Sequence, residues 1–165
     1  MSSAGAAELA SDGYRFVQPV EPAPGDFDAQ GHLNNAAIVR LFNDMRVSYV
    51  RGHIGGWWLE EIAGRRYVIA AREVHVLYES EGRPDERFVG GMKYVRREGK
   101  AALLEQRIVT DDGRAVARMW AVQLLVQDGR VVAWPDRYFD AVATIEQRPI
   151  EARARRSSRV WGPPE

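Results

Sequence analysis

The stretch Asp26-Phe27-Asp28-Ala29-Gln30-Gly31-His32-Leu33-Asn34-Asn35 concentrates the residue types of this chain that can do chemistry. It holds two carboxylates, one of the three histidines, a glycine and two adjacent asparagines, and it runs straight into an apolar-striped segment. Either asparagine can cap a helix by accepting from first-turn amides, and Gly31 lets the chain swing into that start without a Cβ penalty. A helix start points unpaired amides and the positive end of the macrodipole outward, so negative charge that develops there is stabilised. A carboxylate at Asp28, a few residues upstream, would face whatever group those amides polarise, which is an oxyanion site beside a base or nucleophile. Each residue also has a plain structural reading. Asp is favoured in turns for its local hydrogen bonds, Asn34 and Asn35 are caps first, and His32 can orient the carboxylate, bond a substrate carbonyl, or simply hold structure. Asp26 reads as a turn former or a supporting carboxylate. No other cluster of metal-ligand spacing accompanies it, so no metal and no cofactor are expected.

The helix that must position this turn spans Ala36 to Val50. Ala36, Ile38, Val39, Leu41, Phe42, Met45, Tyr49 and Val50 recur at three- and four-residue spacing and predict burial nearly all round, with Gly52, Gly55 and Gly56 as the stop. Before it, Tyr14 to Val20 reads as a strand closed by Pro19, Pro22 and Pro24. After it, Trp57 and Trp58 lie on a loop or short helical turn, covering a core edge or lining a pocket. From Tyr67 the period becomes two. Strands are predicted over Tyr67–Tyr78, Phe88–Arg96, Ala101–Thr110 and Ala115–Gln127, joined by turns rich in glycine, proline and acids. Gly90-Gly91 marks a bulge or a close approach of another backbone or a ligand. A short amphipathic helix follows over Arg137–Gln147. A five-stranded antiparallel meander with one long buried helix can satisfy that helix by curling around it, which makes an α+β fold.

The run Asp28 to Asn35, followed by Arg40-Leu41-Phe42-Asn43-Asp44-Met45-Arg46-Val47-Ser48-Tyr49, resembles the paired signature of hotdog-fold thioesterases of the 4-hydroxybenzoyl-CoA thioesterase type. The match covers about twenty residues in two linked blocks, with weaker echoes as far as Pro135. It departs at Asn43 and Met45, where members commonly carry a glutamate or a small residue. The resemblance implies that Asp28 is the catalytic carboxylate and that the backbone amide of Asn35 polarises a thioester carbonyl. It implies a substrate that is an acyl-CoA, with an acyl-carrier-protein thioester as competitor, and a homodimer or homotetramer with sites at the interface. Gly31 and Asn34 complete the substrate side of the turn, and Arg96, Arg97 and Lys100, at a turn between strands, form the basic cluster that could meet coenzyme A phosphates. Hotdog dehydratases and hydratases carry an Asp-x-Asn-Pro-Ile-His motif that this chain lacks. A non-enzymatic acyl-thioester sensor would be expected to lack the acid at Asp28 or to carry a DNA-binding segment.

Composition narrows the rest. A chain of 165 residues with 45% apolar residues can build one sizeable core. Residues 13–147 are expected to form it, with a loose Ala- and Ser-rich tail over 1–12 and an Arg-rich flexible tail over 148–165. Formal net charge is zero, which gives no global field for nucleic acid or an acidic membrane. The absence of cysteine excludes disulfides and thiolate chemistry. Met1 to Ser11 lacks the pattern of a signal peptide and no run of eighteen apolar residues occurs, so the expected location is the cytoplasm.

Overall fold

The structure is a computed structural model and describes residues 3–55 and 67–154. Gly56, the tryptophans Trp57 and Trp58 and the arginines Arg155, Arg156 and Arg159 lie outside the described residues. In order, the elements are α1 (Ala4–Ser11), β1 (Phe16–Val20), a 3-10 turn (Pro24–Asp26), α2 (Asn35–Tyr49), a π-helical turn (Val50–Ile54), β2 (Tyr67–Tyr78), β3 (Phe88–Glu98), β4 (Ala101–Thr110), β5 (Ala115–Gln127), β6 (Arg130–Val132), α3 (Asp136–Glu146) and β7 (Glu151–Arg153). The five expected strands form the path β1-β3-β4-β5-β2, so the expected meander holds only over β3 to β5, while β2 crosses over to pair with β5 and β1 takes the place beside β3. The sheet nevertheless has seven strands, not five, because β6 pairs with β5 and β7 pairs with β3. Both additions are three-residue strands, too short to show a period of two in the sequence. β7 falls in the segment expected to be a flexible tail, where Arg96, Arg97 and Glu98 pair in parallel with Glu151, Ala152 and Arg153.

The described chain divides into two compact units. The first comprises Met1–Tyr49, Val76–Lys93 and Gln106–Met119. In it α2 buries Ala37, Ile38, Leu41, Phe42, Met45 and Tyr49. The sequence predicts burial nearly all round, but Ala36, Val39, Arg40, Asn43, Asp44 and Ser48 are exposed. A 3.6-residue period carries those positions to the side away from the buried stripe. The Gly90-Gly91 pair explains how closely the layers approach. A Cβ on Gly90 would collide with Met45 Cε, and one on Gly91 would stand 2.9 Å from the Tyr14 ring. The close approach is therefore made by side chains on the two faces of β3. Neighbouring residues of a strand point to opposite faces, so α2 lies against one face there and Tyr14 against the other.

Residues 1–12, expected as a loose tail, contain α1. Ser3 caps it by accepting from the Ala6 amide at 3.2 Å, and the alanines have the best intrinsic helix propensity. Leu9 is fully buried with Tyr14, Val89 and Val109. Arg107 of β4 pairs with Glu8 at 3.1 Å and with Asp12. One apolar anchor and two acids are too little to show as periodicity in a small-residue stretch, but they suffice once a sheet face is available.

The second unit comprises Val50–His75, Tyr94–Glu105 and Trp120–Glu165. Its interior includes Tyr94, Trp134, Tyr138 and Phe139, with the Tyr94 and Tyr138 hydroxyls 2.8 Å apart and the Glu146 carboxylate accepting from the Tyr94 amide at 2.9 Å. A separate cluster joins Ala101, Leu103, Trp120 and Val122. Among the described residues no helix is long and apolar enough to cross a membrane.

Gly5 lets α1 touch the end of β4, since a Cβ there would collide with the Thr110 carbonyl oxygen. Replacing glycine by alanine inside a helix normally gains about 1 kcal/mol. Here Gly5→Ala is expected to destabilise the protein by roughly 1–3 kcal/mol instead, because the obstacle is backbone and cannot rotate aside. Chemical denaturation compared with the parent chain measures this, and a stabilised variant would show that α1 does not dock as described.

Candidate active site

The turn ahead of α2 is closed by its own backbone. Phe27 and Leu33 form an antiparallel bridge, the Asp28 amide donates to the His32 carbonyl at 2.9 Å, and the Gly31 amide donates to the Asp28 carbonyl at 3.0 Å. Gly31 sits at φ +78°, a left-handed conformation that a side chain would strain. Inside this loop Asp28 Oδ1 accepts from the amides of Gln30 at 2.9 Å and His32 at 3.0 Å. Asp28 is thus both the turn residue and a carboxylate held in a fixed direction. The His32 amide is the main cause that lowers its pKa below the ordinary value of 3.8, opposed by partial desolvation and reinforced by the Gln30 amide and the His32 imidazole.

Asp26 ties this loop to the helix. Its side chain accepts from the Ala23 amide at 2.7 Å and from the Arg40 guanidinium on α2, and its carbonyl accepts from the Asn34 amide at 2.8 Å. Asn34 is the cap, its Oδ1 accepting from the Ala36 amide at 2.8 Å. The amides of Asn34 and Ala36 are therefore committed, whereas the Asn35 amide between them has no acceptor among the described residues.

A cavity of about 390 Å³ opens at this place, lined by Asp28, His32, Leu33, Asn34, Asn35 and Ile38 on one side and by Tyr78, Glu79, Ser80 and Glu81 on the other. The structure brings Asp28, His32, Asn34 and Asn35 together here, with Gly31 shaping the turn. Sequence reading missed the segment that follows β2, above all Glu81, whose Oε2 lies 3.2 Å from His32 Nε2. The available signal was an acidic run, Glu79-Ser80-Glu81, at the end of a strand, where side chains leave the sheet and can face a site.

Arg96 and Lys100 belong to the other compact unit. Lys100 Nζ donates to the Val131 carbonyl at 3.0 Å and lines a different cavity with Arg72, Glu98, Leu124 and Val131. Arg96 Nε lies 3.5 Å from Glu98 Oε2, and Arg97 stacks over the Phe139 ring at 4.6 Å. Among the described residues no group of three or more His, Asp or Glu side chains is placed to hold a metal ion.

Residues 22–144 match the family model of the thioesterase-like superfamily. The chain belongs to that superfamily, its fold is the hotdog, and its activity class is thioester hydrolysis. Solved structures share the fold. A thioesterase from Thermus thermophilus complexed with coenzyme A and Zn aligns at TM-score 0.72 and 24% identity, over 84% of this chain and 99% of that one. A hypothetical protein from Staphylococcus aureus in complex with CoA aligns at 0.70 and 18%, over 90% and 89%. A 1,4-dihydroxy-2-naphthoyl-CoA thioesterase from Synechocystis aligns at 0.68 and 9%, over 78% and 95%. No curated protein matches the sequence.

The amide bonds to Asp28 have a measurable consequence. A depressed folded-state pKa means that ionised Asp28 favours the folded state above the ordinary value of 3.8, and that this contribution is lost as pH falls through the lower folded value. Carboxyl-carbon NMR titration is expected to place the Asp28 midpoint below 3.8. A midpoint at or above it would mean that the turn amides do not hold the carboxylate.

Proposed function

We propose that the protein hydrolyses acyl-CoA thioesters, with Asp28 attacking the thioester carbonyl and the Asn35 amide holding the oxyanion. The observation that carries this reading is an amide at the start of α2, that of Asn35, which has no acceptor among the described residues and belongs to the same cavity lining as a fixed carboxylate. Asp28 is ionised throughout the neutral range, and the turn amides hold its Oδ1 while Oδ2 accepts no bond from the described residues. That leaves one oxygen of a fixed carboxylate for direct attack. One carboxylate oxygen bonds to the carbonyl carbon, the C–S bond breaks with its electron pair on sulfur, and the thiolate leaves without strong acid assistance, giving a mixed anhydride that water then opens. Coenzyme A as the handle is supported by the superfamily and by the two structural neighbours that hold it. Arg96 and Lys100 stay candidates for its phosphates. The cysteine-free sequence is compatible with a cytoplasmic location.

The working unit we propose is a dimer joined along β2. That strand ends the sheet path, has no buried residue, and exposes Val68, Val74, Leu77 and Tyr78 at 44–58%. An unpaired edge carrying apolar side chains is a template for another strand. Tyr78 also lines the Asp28 cavity, so pairing there would close the site.

Replacing Asp28 by Asn keeps size and removes the charge. Turnover of every acyl-CoA that the parent cleaves is expected to fall on the order of 10³-fold or more, with KM little changed. A hydrolysis panel of aromatic, short and long acyl-CoA esters beside matched acyl-carrier substrates, read by thiol release, checks this and identifies the handle. Near-normal turnover in Asp28→Asn would remove Asp28 from the chemistry. For the assembly, sedimentation at micromolar concentration is expected to give a dimer and Val74→Lys to shift it toward monomer. A monomeric parent chain would defeat the edge pairing.

A further inference from the structure

We infer that Glu81 is a positioning residue that fixes the imidazole of His32 as proton acceptor for the water that completes hydrolysis. This rests on the reading of Asp28 as nucleophile, and it concerns the half of the reaction that Asp28 cannot perform for itself.

Glu81 is presented to His32 by a segment anchored on both sides. The amides of Glu79 and Ser80 donate to the Val116 carbonyl at 2.8 and 3.2 Å, and the Ser80 hydroxyl donates to the Ala115 carbonyl. Arg114 holds three groups of the same segment: it donates to the Glu81 carbonyl at 2.7 Å, to the Ser80 hydroxyl and to the Glu86 carboxylate. On the far side the Leu33 amide, one residue beyond His32, donates to the Gly82 carbonyl at 2.8 Å. Gly82 makes that approach possible, because a Cβ there would lie 3.1 Å from Leu33 Cβ and 3.0 Å from the Phe88 ring. The backbone around Glu81 is thus tied directly to the backbone around His32. An isolated pair of exposed side chains would be weak; here the backbone bonds hold the two residues beside each other, and Arg83 Nη2, 3.6 Å from the same Glu81 oxygen, is a second partner of the carboxylate.

With Glu81 Oε2 at 3.2 Å from His32 Nε2, the proton of the imidazole sits on Nε2 and Nδ1 is the basic nitrogen. The oxygen of water bonds to the acyl carbon of the anhydride, one of its protons passes to His32 Nδ1, and the bond to Asp28 breaks to return the carboxylate. The acid product loses its remaining proton to solvent and leaves as a carboxylate, and the imidazolium gives its proton to the released thiolate or to solvent. A carboxylate that holds the tautomer of a catalytic imidazole is a recurrent arrangement in hydrolases.

The test uses the full chain and the variants Glu81→Ala, Glu81→Asp and His32→Gln. The Glu81 side chain is 56% exposed, so its variants are expected to fold. Long-range nitrogen–proton NMR of the labelled protein at about pH 8, above the ordinary imidazole pKa, reads the tautomer, the His32 signals being those that His32→Gln removes. The parent is expected to show His32 with its proton on Nε2 and Glu81→Ala a mixture of tautomers. Glu81→Ala should lower kcat about 10- to 100-fold, part of the roughly 10²- to 10⁴-fold that a general base supplies, with KM within about twofold. Glu81→Asp should recover part of the loss, and Glu81→Ala combined with His32→Gln should be no slower than His32→Gln alone, as for residues acting as one unit. An unchanged tautomer in Glu81→Ala, an unchanged kcat, or additive losses in the double variant would each overturn the inference. The tautomer readout needs no turnover, so it separates failure of this inference from failure of the Asp28 reading, which Asp28→Asn tests by itself.

Discussion

Three hydrogen bonds around Asp26 and Asn34 decide what the front of α2 can do. The Asp26 carbonyl takes the Asn34 amide and Asn34 Oδ1 takes the Ala36 amide, while the Asp26 carboxylate anchors the turn to Arg40 on the helix. A helix start always carries orphan donors, and here local acceptors satisfy the amides of Asn34, Ala36 and Ile38, while that of Asn35, a residue of the cavity lining, has none among the described residues. A buried or capped donor cannot serve a ligand without losing its own bond, so the choice of which amides are capped is a choice of where an oxyanion can bind.

The same economy governs Asp28. Its Oδ1 is used by two turn amides, which fixes the carboxylate and lowers its basicity at once. Such a group is preorganised to approach an electrophile, and once acylated it cannot itself take the proton of the water that must follow. A second proton acceptor then has a purpose, and His32 beside Glu81 in the same cavity supplies the type of side chain required.

Behind the site, glycine sets how close the layers come. Gly90 and Gly91 leave room for Met45 and Tyr14 on the two sides of β3, and Gly82 lets the segment after β2 reach the Asp28 turn. At Gly5 the partner is a backbone carbonyl at the end of β4. None of these four requires a positive φ. Their role is contact, which depends on partners far away in the chain.

Elements whose signal is local can be read from the chain alone. The period of two fixes β2 to β5 within a few residues, the three- and four-residue spacing fixes α2, and Gly31 beside Asn34 and Asn35 marks the turn and its cap. Asp28 was legible as a turn carboxylate for the same reason, since its carboxylate bonds only to its own loop, and the resemblance gave it a catalytic reading. Folding settled what needs a distant partner. It made a helix of residues 4–11 because Leu9 and Glu8 find β3 and β4 residues to bury against and pair with. It added β6 and β7, which are strands only because β5 and β3 offer their edges. It left one side of α2 exposed, and it set Glu81 against His32, forty-nine positions apart in the numbering. Local periodicity and turn chemistry are written in neighbouring residues, whereas burial, edge pairing and the meeting of two titratable groups are properties of the folded chain.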